Sequence, residues 1–206
     1  PLIALQYHEV KIITKFASIT DVSIVELNLW IDYIYLDTDE RRRFAQVSHE
    51  YLIEQIQYIN TNNKIMHNLN FNHPVKELIW TGQPKSSSIS TPTSLKGAGQ
   101  EKYHLELNGH QRFAPRYLEY FTKTQVWQHH TGYGGTDAEN DGCNNSIAVY
   151  SFALKPEEHQ PSGTCNFSRI DNAILISENS TSLNIYAVNY NVLRIMSGMG
   201  GLAYSN

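Results

Sequence analysis

The sequence predicts an all-β protein, an eight-stranded antiparallel jelly-roll β-sandwich with long loops and short helical turns. Three observations predict it. Late in the chain Tyr186, Val188, Tyr190 and Val192 alternate with Ile185, Ala187, Asn189 and Asn191, a period-two run of β-branched and aromatic residues that marks a strand. Strand-like runs recur along the whole chain. The connections between them are long and irregular, the pattern expected of two four-stranded sheets face to face.

In chain order, the first strand is expected over residues 2–13. The second, residues 22–36, would put Val25, Leu27, Leu29, Ile31, Tyr33 and Tyr35 on a core face and Glu26, Asn28 and Asp32 on a wetter one. A short helix over residues 38–45 follows, because Asp37 with Glu40 three residues later has the form of a reciprocal N-terminal cap. Further strands are expected at residues 50–59, 75–81, 102–107, 147–154 and 173–177. The terminal run, from residue 183, is the eighth and stops at Gly198, Gly200 and Gly201. Residues 82–100 form a Ser/Thr/Pro/Gly tract that can bury almost nothing and is expected to be an exposed loop. Residues 108–145 form a longer connection, with a helical turn near residues 116–121 and a turn-rich tail. Connections of such length in a domain are usually functional or disordered.

The chain has 206 residues, enough for one large all-β domain. A net charge of −4 supplies no basic excess for nucleic acid, so no direct nucleic-acid contact is expected. No stretch reaches the roughly 20 apolar residues of a membrane span, and no signal peptide opens the sequence. Cys143 and Cys165 are the two cysteines; spacing leaves their pairing open, and unpaired thiols are the simpler reading. An opening without methionine, directly on strand-like sequence, is read as a piece of a longer polypeptide.

Catalytic and metal readings find little support. His129 and His130 are adjacent and would point to opposite faces of a strand, and the His-x-His and Glu pattern of a metal-binding jelly roll does not occur, so neither metal nor cofactor is expected. Glu157, Glu158 and His159 could serve acid–base chemistry, but the flanking Pro156 and Pro161 suggest a shaped loop. There is no nucleophile elbow, phosphate-binding glycine loop or Cys-x-x-Cys, and no enzyme activity is expected. Asn144, Asn166 and Asn179 each open an Asn-x-Ser/Thr triplet and are candidate glycosylation sites.

Several segments together are similar to the major capsid proteins of the nucleocytoplasmic large DNA viruses, the group of iridoviruses and phycodnaviruses. They are PLIALQYHEVKI at residues 1–12, LDTDERRRFAQVSHEYLIEQ at 36–55, FNHPVKELIW at 71–80, LNGHQRF at 107–113, SFALKPEEHQPSG at 151–163, SGTCNFSRIDN at 162–172 and YAVNYNVLRIMSGMGGLAYSN at 186–206. The resemblance implies a structural protein of an icosahedral shell, located in the virion and made in the host cytoplasm. It implies two consecutive jelly rolls per subunit, with residues 1–206 as the second, C-terminal one and the first absent. It further implies homotrimers of pseudo-hexagonal outline that contact one another across the shell, with minor capsid proteins as further partners and an inner lipid membrane nearby.

A closed trimer needs one patch to meet a different patch on its neighbour, and such patches favour arginine and aromatic residues. By composition Arg41, Arg42, Arg43, Phe44, Arg112, Arg116, Tyr117, Tyr120, Phe121, Trp127, Phe167 and Arg169 are candidates. The alternative is a lectin-like carbohydrate-binding jelly roll using Tyr117, Tyr120, Trp127 and Tyr133 to stack on sugar rings.

Overall fold

Side chains that alternate between apolar and polar become strands only where a neighbouring edge completes the hydrogen-bond ladder, and the computed structural model shows where that happens. It describes residues 1–15, 28–82, 101–132 and 147–204. Nine strands are present among them: β1 (His49–Asn68), β2 (Pro74–Gly82), β3 (Lys102–Leu107), β4 (His110–Gln111), β5 (Arg116–Tyr117), β6 (Ile147–Ser151), β7 (Cys165–Asn166), β8 (Ala173–Met196) and β9 (Met199–Leu202). Strand β2 pairs antiparallel with β6, β7 and β8, β3 with β4, β5 and β8, and β8 with β9. The jelly-roll class holds, but the two sheets are joined into one curled sheet of order β4-β3-β8-β2-β6, with β1 and β9 on β8, β5 on β3 and β7 on β2.

The join is made by β8. Its early residues pair with β3, Leu175 opposite Leu105, and its middle pairs with β2, Ile185 opposite Trp80. Between the two stretches the Thr181 hydroxyl donates to Ser177 Oγ at 3.3 Å, and the Ser177 hydroxyl donates to the Asn179 carbonyl at 2.7 Å. Four residues of straight strand would span about 13 Å, so β8 bends sharply here. The strands expected at 173–177 and from 183 onward are therefore one element with a corner. A second reversal lies inside β1, where the Thr61 hydroxyl is 2.6 Å from His67 Nδ1 and Asn63 has φ 47°.

Packing divides the chain into two units, residues 52–191 with 204–206 and residues 1–51 with 192–203. In the larger unit, β2 runs between β6 and β8 and is buried along most of its length. Its inward side chains Val75, Leu78 and Trp80 meet Ala148 and Tyr150 of β6, Leu183, Ile185 and Ala187 of β8, and Tyr103 and Leu105 of β3. The curl brings β3 across from β2: the Trp80 ring lies 5.8 Å from Tyr103 and 5.1 Å from Phe121. Phe121 belongs to a π-helical turn, Tyr120–Thr124, which runs into a short helix at Gln125–His129. The helical turn expected near residues 116–121 is thus displaced: residues 116 and 117 pair with β3 before the helix begins. Asn108 and Gly109, at φ 51° and 78°, make the two-residue turn between β3 and β4, a conformation that Asn-Gly adopts readily. Strand β6 ends at Ser151, short of the expected residue 154, because the Phe152 and Ala153 amides turn to the Lys76 carbonyl.

In the smaller unit, α1 (Thr38–Gln46) forms where the cap motif places it, with Glu40 Oε2 accepting from the Asp37 amide at 3.4 Å. It buries none of its residues. The later helix, Gln125–His129, is α2. Strands β8 and β9 turn at Ser197 and Gly198, φ 55° and 79°, and the Tyr7 amide donates to the Gly198 carbonyl. A Cβ at residue 198 would sit 2.6 Å from the Tyr7 ring.

Two expected strands are corrected. Residues 2–13 hold only a 3₁₀ turn, Leu2–Ala4, and residues 28–36 hold no strand. The expected core face is in the open here, with Leu29, Ile31, Tyr33 and Tyr35 all exposed, Tyr35 at 91%. None of the nine strands lies alongside to pair with either segment. Residues 22–27, the tract at 83–100 and the stretch at 133–146, which carries Tyr133, Cys143 and Asn144, lie outside the described residues.

Candidate functional site

The side chains named as interface candidates separate into three groups. Arg41, Arg42 and Arg43 are exposed on α1, with Arg42 3.8 Å from Asp39 one turn earlier. Phe44 turns inward and stacks on His49 at 5.4 Å, while His49 Nε2 lies 2.8 Å from the Phe44 carbonyl. Phe167 and Phe121 are interior residues at 2% and 0% exposure. Phe167 packs edge-on against Phe71 and Phe152, so it offers no surface to a neighbour. Arg169 is exposed in the 3₁₀ turn Phe167–Arg169.

The third group gathers at β5 and the helical run after it. Pro115, Arg116, Tyr117, Glu119, Tyr120 and Thr124 line an open cleft of about 600 Å³. The strand pairing of Tyr117 with Lys102 places that ammonium 4.8 Å above the Tyr117 ring. The Arg116 guanidinium sits 4.6 Å from the Tyr120 ring. Two cations on aromatic faces make a surface that presents both charge and flat apolar area, a combination suited to recognition. Trp127, on α2, is 76% exposed. Arg112 approaches Tyr150, whose phenol pKa is raised by burial against the opposing pull of that guanidinium.

The histidines and glutamates do not assemble a metal site: among the described residues no group of three or more His, Cys, Asp or Glu is placed to hold an ion. His104 Nε2 lies 3.4 Å from Glu106 on its own strand. Burial raises the Cys165 thiol pKa, which keeps it protonated and weakly nucleophilic. Glu157 is engaged in its loop, accepting from the Thr131 amide and hydroxyl. Of the described Asn-x-Ser/Thr triplets, Asn166 Oδ1 accepts from the Ser168 amide, and Asn179 is exposed at the corner of β8.

Three polar clusters were not apparent from the sequence. Lys76, almost wholly enclosed, donates to Glu54 and to the Pro156 carbonyl, both at 2.6 Å. His67, fully buried, lies among Thr61, Ser177 and Thr181. His130 lies between Glu77 and Glu157. Each joins residues distant in sequence, and only the polar character of the individual residues hints at them.

Compared with known proteins, residues 40–201 match the family described as large eukaryotic DNA virus major capsid protein. The chain is 51% identical to the major capsid protein of Pyramimonas orientalis virus and 38% identical to that of Paramecium bursaria Chlorella virus 1. Both alignments cover all of this chain, but only 57% and 63% of those proteins. Among solved structures, a quasi-atomic model of the PBCV-1 virus capsid superposes with a TM-score of 0.70 at 38% identity, over 84% of this chain and 56% of that one. The Faustovirus major capsid protein superposes at 0.53 with 13% identity, a likeness of fold.

Proposed function

Because the chain belongs to the large eukaryotic DNA virus major capsid protein family, we propose that it serves as a structural building block of an icosahedral virion shell. The match of most of the chain to that family, with a fold that superposes on a virus capsid model, is the observation that supports this reading. The chain spans somewhat over half the length of those relatives, and in this reading residues 1–206 supply the second of two jelly rolls.

The unit of assembly is a homotrimer of pseudo-hexagonal outline, and trimers then meet across the shell and minor capsid proteins. Its mechanism is surface complementarity, weak per contact and multiplied by repetition; no reaction is assigned to it. The cleft beside Tyr117 and Tyr120 and the exposed Trp127 are the first surfaces to examine for subunit contact. Electron microscopy of the purified full-length protein and of virions tests this. Threefold capsomers with a six-cornered base are expected. A population that stays monomeric at every concentration would overturn the assignment.

The carbohydrate reading rests on the same cleft, since tyrosine faces beside polar groups can stack on sugar rings. A glycan-binding titration separates the two: saturable binding by the monomer, abolished by Tyr117→Ala, is expected only of that alternative.

A further inference from the structure

We propose that His130 is a pH-operated latch that fastens the C-terminal end of α2 to the loop after β6 and releases it as the pH rises. The latch begins with the end of α2. At His130 the backbone leaves the helix for extended geometry, φ −115° and ψ 154°, and the two adjacent histidines then serve different partners. His129 Nδ1 lies 3.0 Å from the Leu154 carbonyl. The His130 ring projects between two carboxylates, Nε2 lying 3.0 Å from Glu77 Oε2 and Nδ1 lying 3.1 Å from Glu157 Oε1. Glu77 comes from the central strand β2 and is buried. Glu157 comes from the loop, and its other oxygen takes the Thr131 amide and hydroxyl.

The protonation state follows from this arrangement. A neutral imidazole carries one N–H and one lone pair, whereas an ionised carboxylate only accepts. A neutral ring would therefore satisfy one glutamate and turn its lone pair on the other. The imidazolium answers both. The inner contact is an ion pair without an aligned hydrogen bond: Glu77 Oε2 and His130 Nε2 are buried 3.0 Å apart, and among the described residues neither atom has a hydrogen-bond partner, so only charge on the ring compensates the carboxylate. Loss of one ring proton leaves a single N–H for two carboxylates: kept on Nε2 toward buried Glu77, it turns the Nδ1 lone pair on Glu157, a repulsion relieved when the loop parts from the helix end.

The ionisable groups acting on the ring are Glu77 from β2 and Glu157 from the loop. Lys76, next to Glu77, is occupied by Glu54 and the Pro156 carbonyl. The His130 pKa is raised, first by its bond to Glu77, with burial opposing and the charges of both glutamates reinforcing. A histidine pKa raised on folding stabilises fully below the ordinary value near 6.5 and loses that contribution as pH climbs through the folded value. The latch is thus closed in mild acid and opens toward alkali. It restrains one end of the helical run whose other end, Tyr120 and Thr124, lines the cleft, so the rigidity of that surface becomes pH-dependent.

Hydrogen exchange read by mass spectrometry on the full-length protein tests this from about pH 6 to about pH 9, corrected for intrinsic exchange. Amide protection in residues 125–132 and 152–158 is expected to fall by up to about tenfold for each pH unit between the ordinary value near 6.5 and the raised folded pKa, and to level off above it. His130→Gln should be open at every pH and show no such fall. Glu157→Gln, a change at an exposed side chain, should keep the fold and move the fall to lower pH. Protection that is flat with pH in the wild type overturns the proposal. So does a fall at an unchanged pH in Glu157→Gln, or one that persists in His130→Gln.

Discussion

At both ring nitrogens the fully buried His67 meets only hydroxyls, those of Thr61, Ser177 and Thr181. Burial, reinforced by Lys64, lowers its pKa to about 4. The unfolded chain takes up that proton near the ordinary 6.5. Between these values the unfolded state holds more protons, so stability is lost as pH falls from about 6.5 to about 4, by up to ~3 kcal/mol. Urea titrations at a series of pH values check this: the wild type should lose stability over that interval and His67→Asn should show a shallower slope. His130 has the opposite sign, because its pKa is raised, and its contribution fades on the alkaline side. Core residues follow volume rather than charge. Trp80 touches both Tyr103 and Phe121 across the curl, and Trp80→Ala is expected to cost about 3–5 kcal/mol in the same titration.

Elements succeed or fail by the company they keep. The Asp37/Glu40 cap marks α1, none of whose residues is buried, and β2 and β3 lie where local pattern puts them. Residues 28–36 carry as good an alternation as β3, yet find no partner edge among the described residues and stay unpaired. Alternation reports what a segment can do, and pairing depends on a neighbour that no local pattern encodes. The corner in β8 and the reversal in β1 leave no mark on the alternation for a related reason: each is pinned by polar side chains that meet across the bend, Thr181 with Ser177 and Thr61 with His67. Of the candidate contact residues, Arg116 and Tyr117 lie at the surface and Phe167 does not; an aromatic in a loop looks the same in sequence whether it faces in or out. The turn between β8 and β9 offers a sharp test. Gly198→Ala adds a Cβ 2.6 Å from the Tyr7 ring at φ 79°, and a loss of about 1–3 kcal/mol is expected, seen as a lowered thermal midpoint.

For the molecule as a whole, assembly should be more sensitive than folding to change at the exposed aromatic cleft. If the proposed trimer forms through this cleft, Arg116→Ala and Trp127→Ala are expected to leave the far-ultraviolet spectrum unchanged and to raise its dissociation constant about tenfold, the cost of removing one well-placed anchor. Analytical ultracentrifugation reads this directly, with Arg169→Ala as a comparison at a separate exposed site. The corner strand β8 has a consequence for how such a molecule is made. It joins β1, β2 and β3 but follows all three in the chain, and Gln57 waits 132 residues for Asn189. While the ribosome is still adding those residues, the earlier strands have apolar faces and no seam to close. A nascent subunit is therefore sticky until β8 emerges, and the demand for chaperones should peak during that interval.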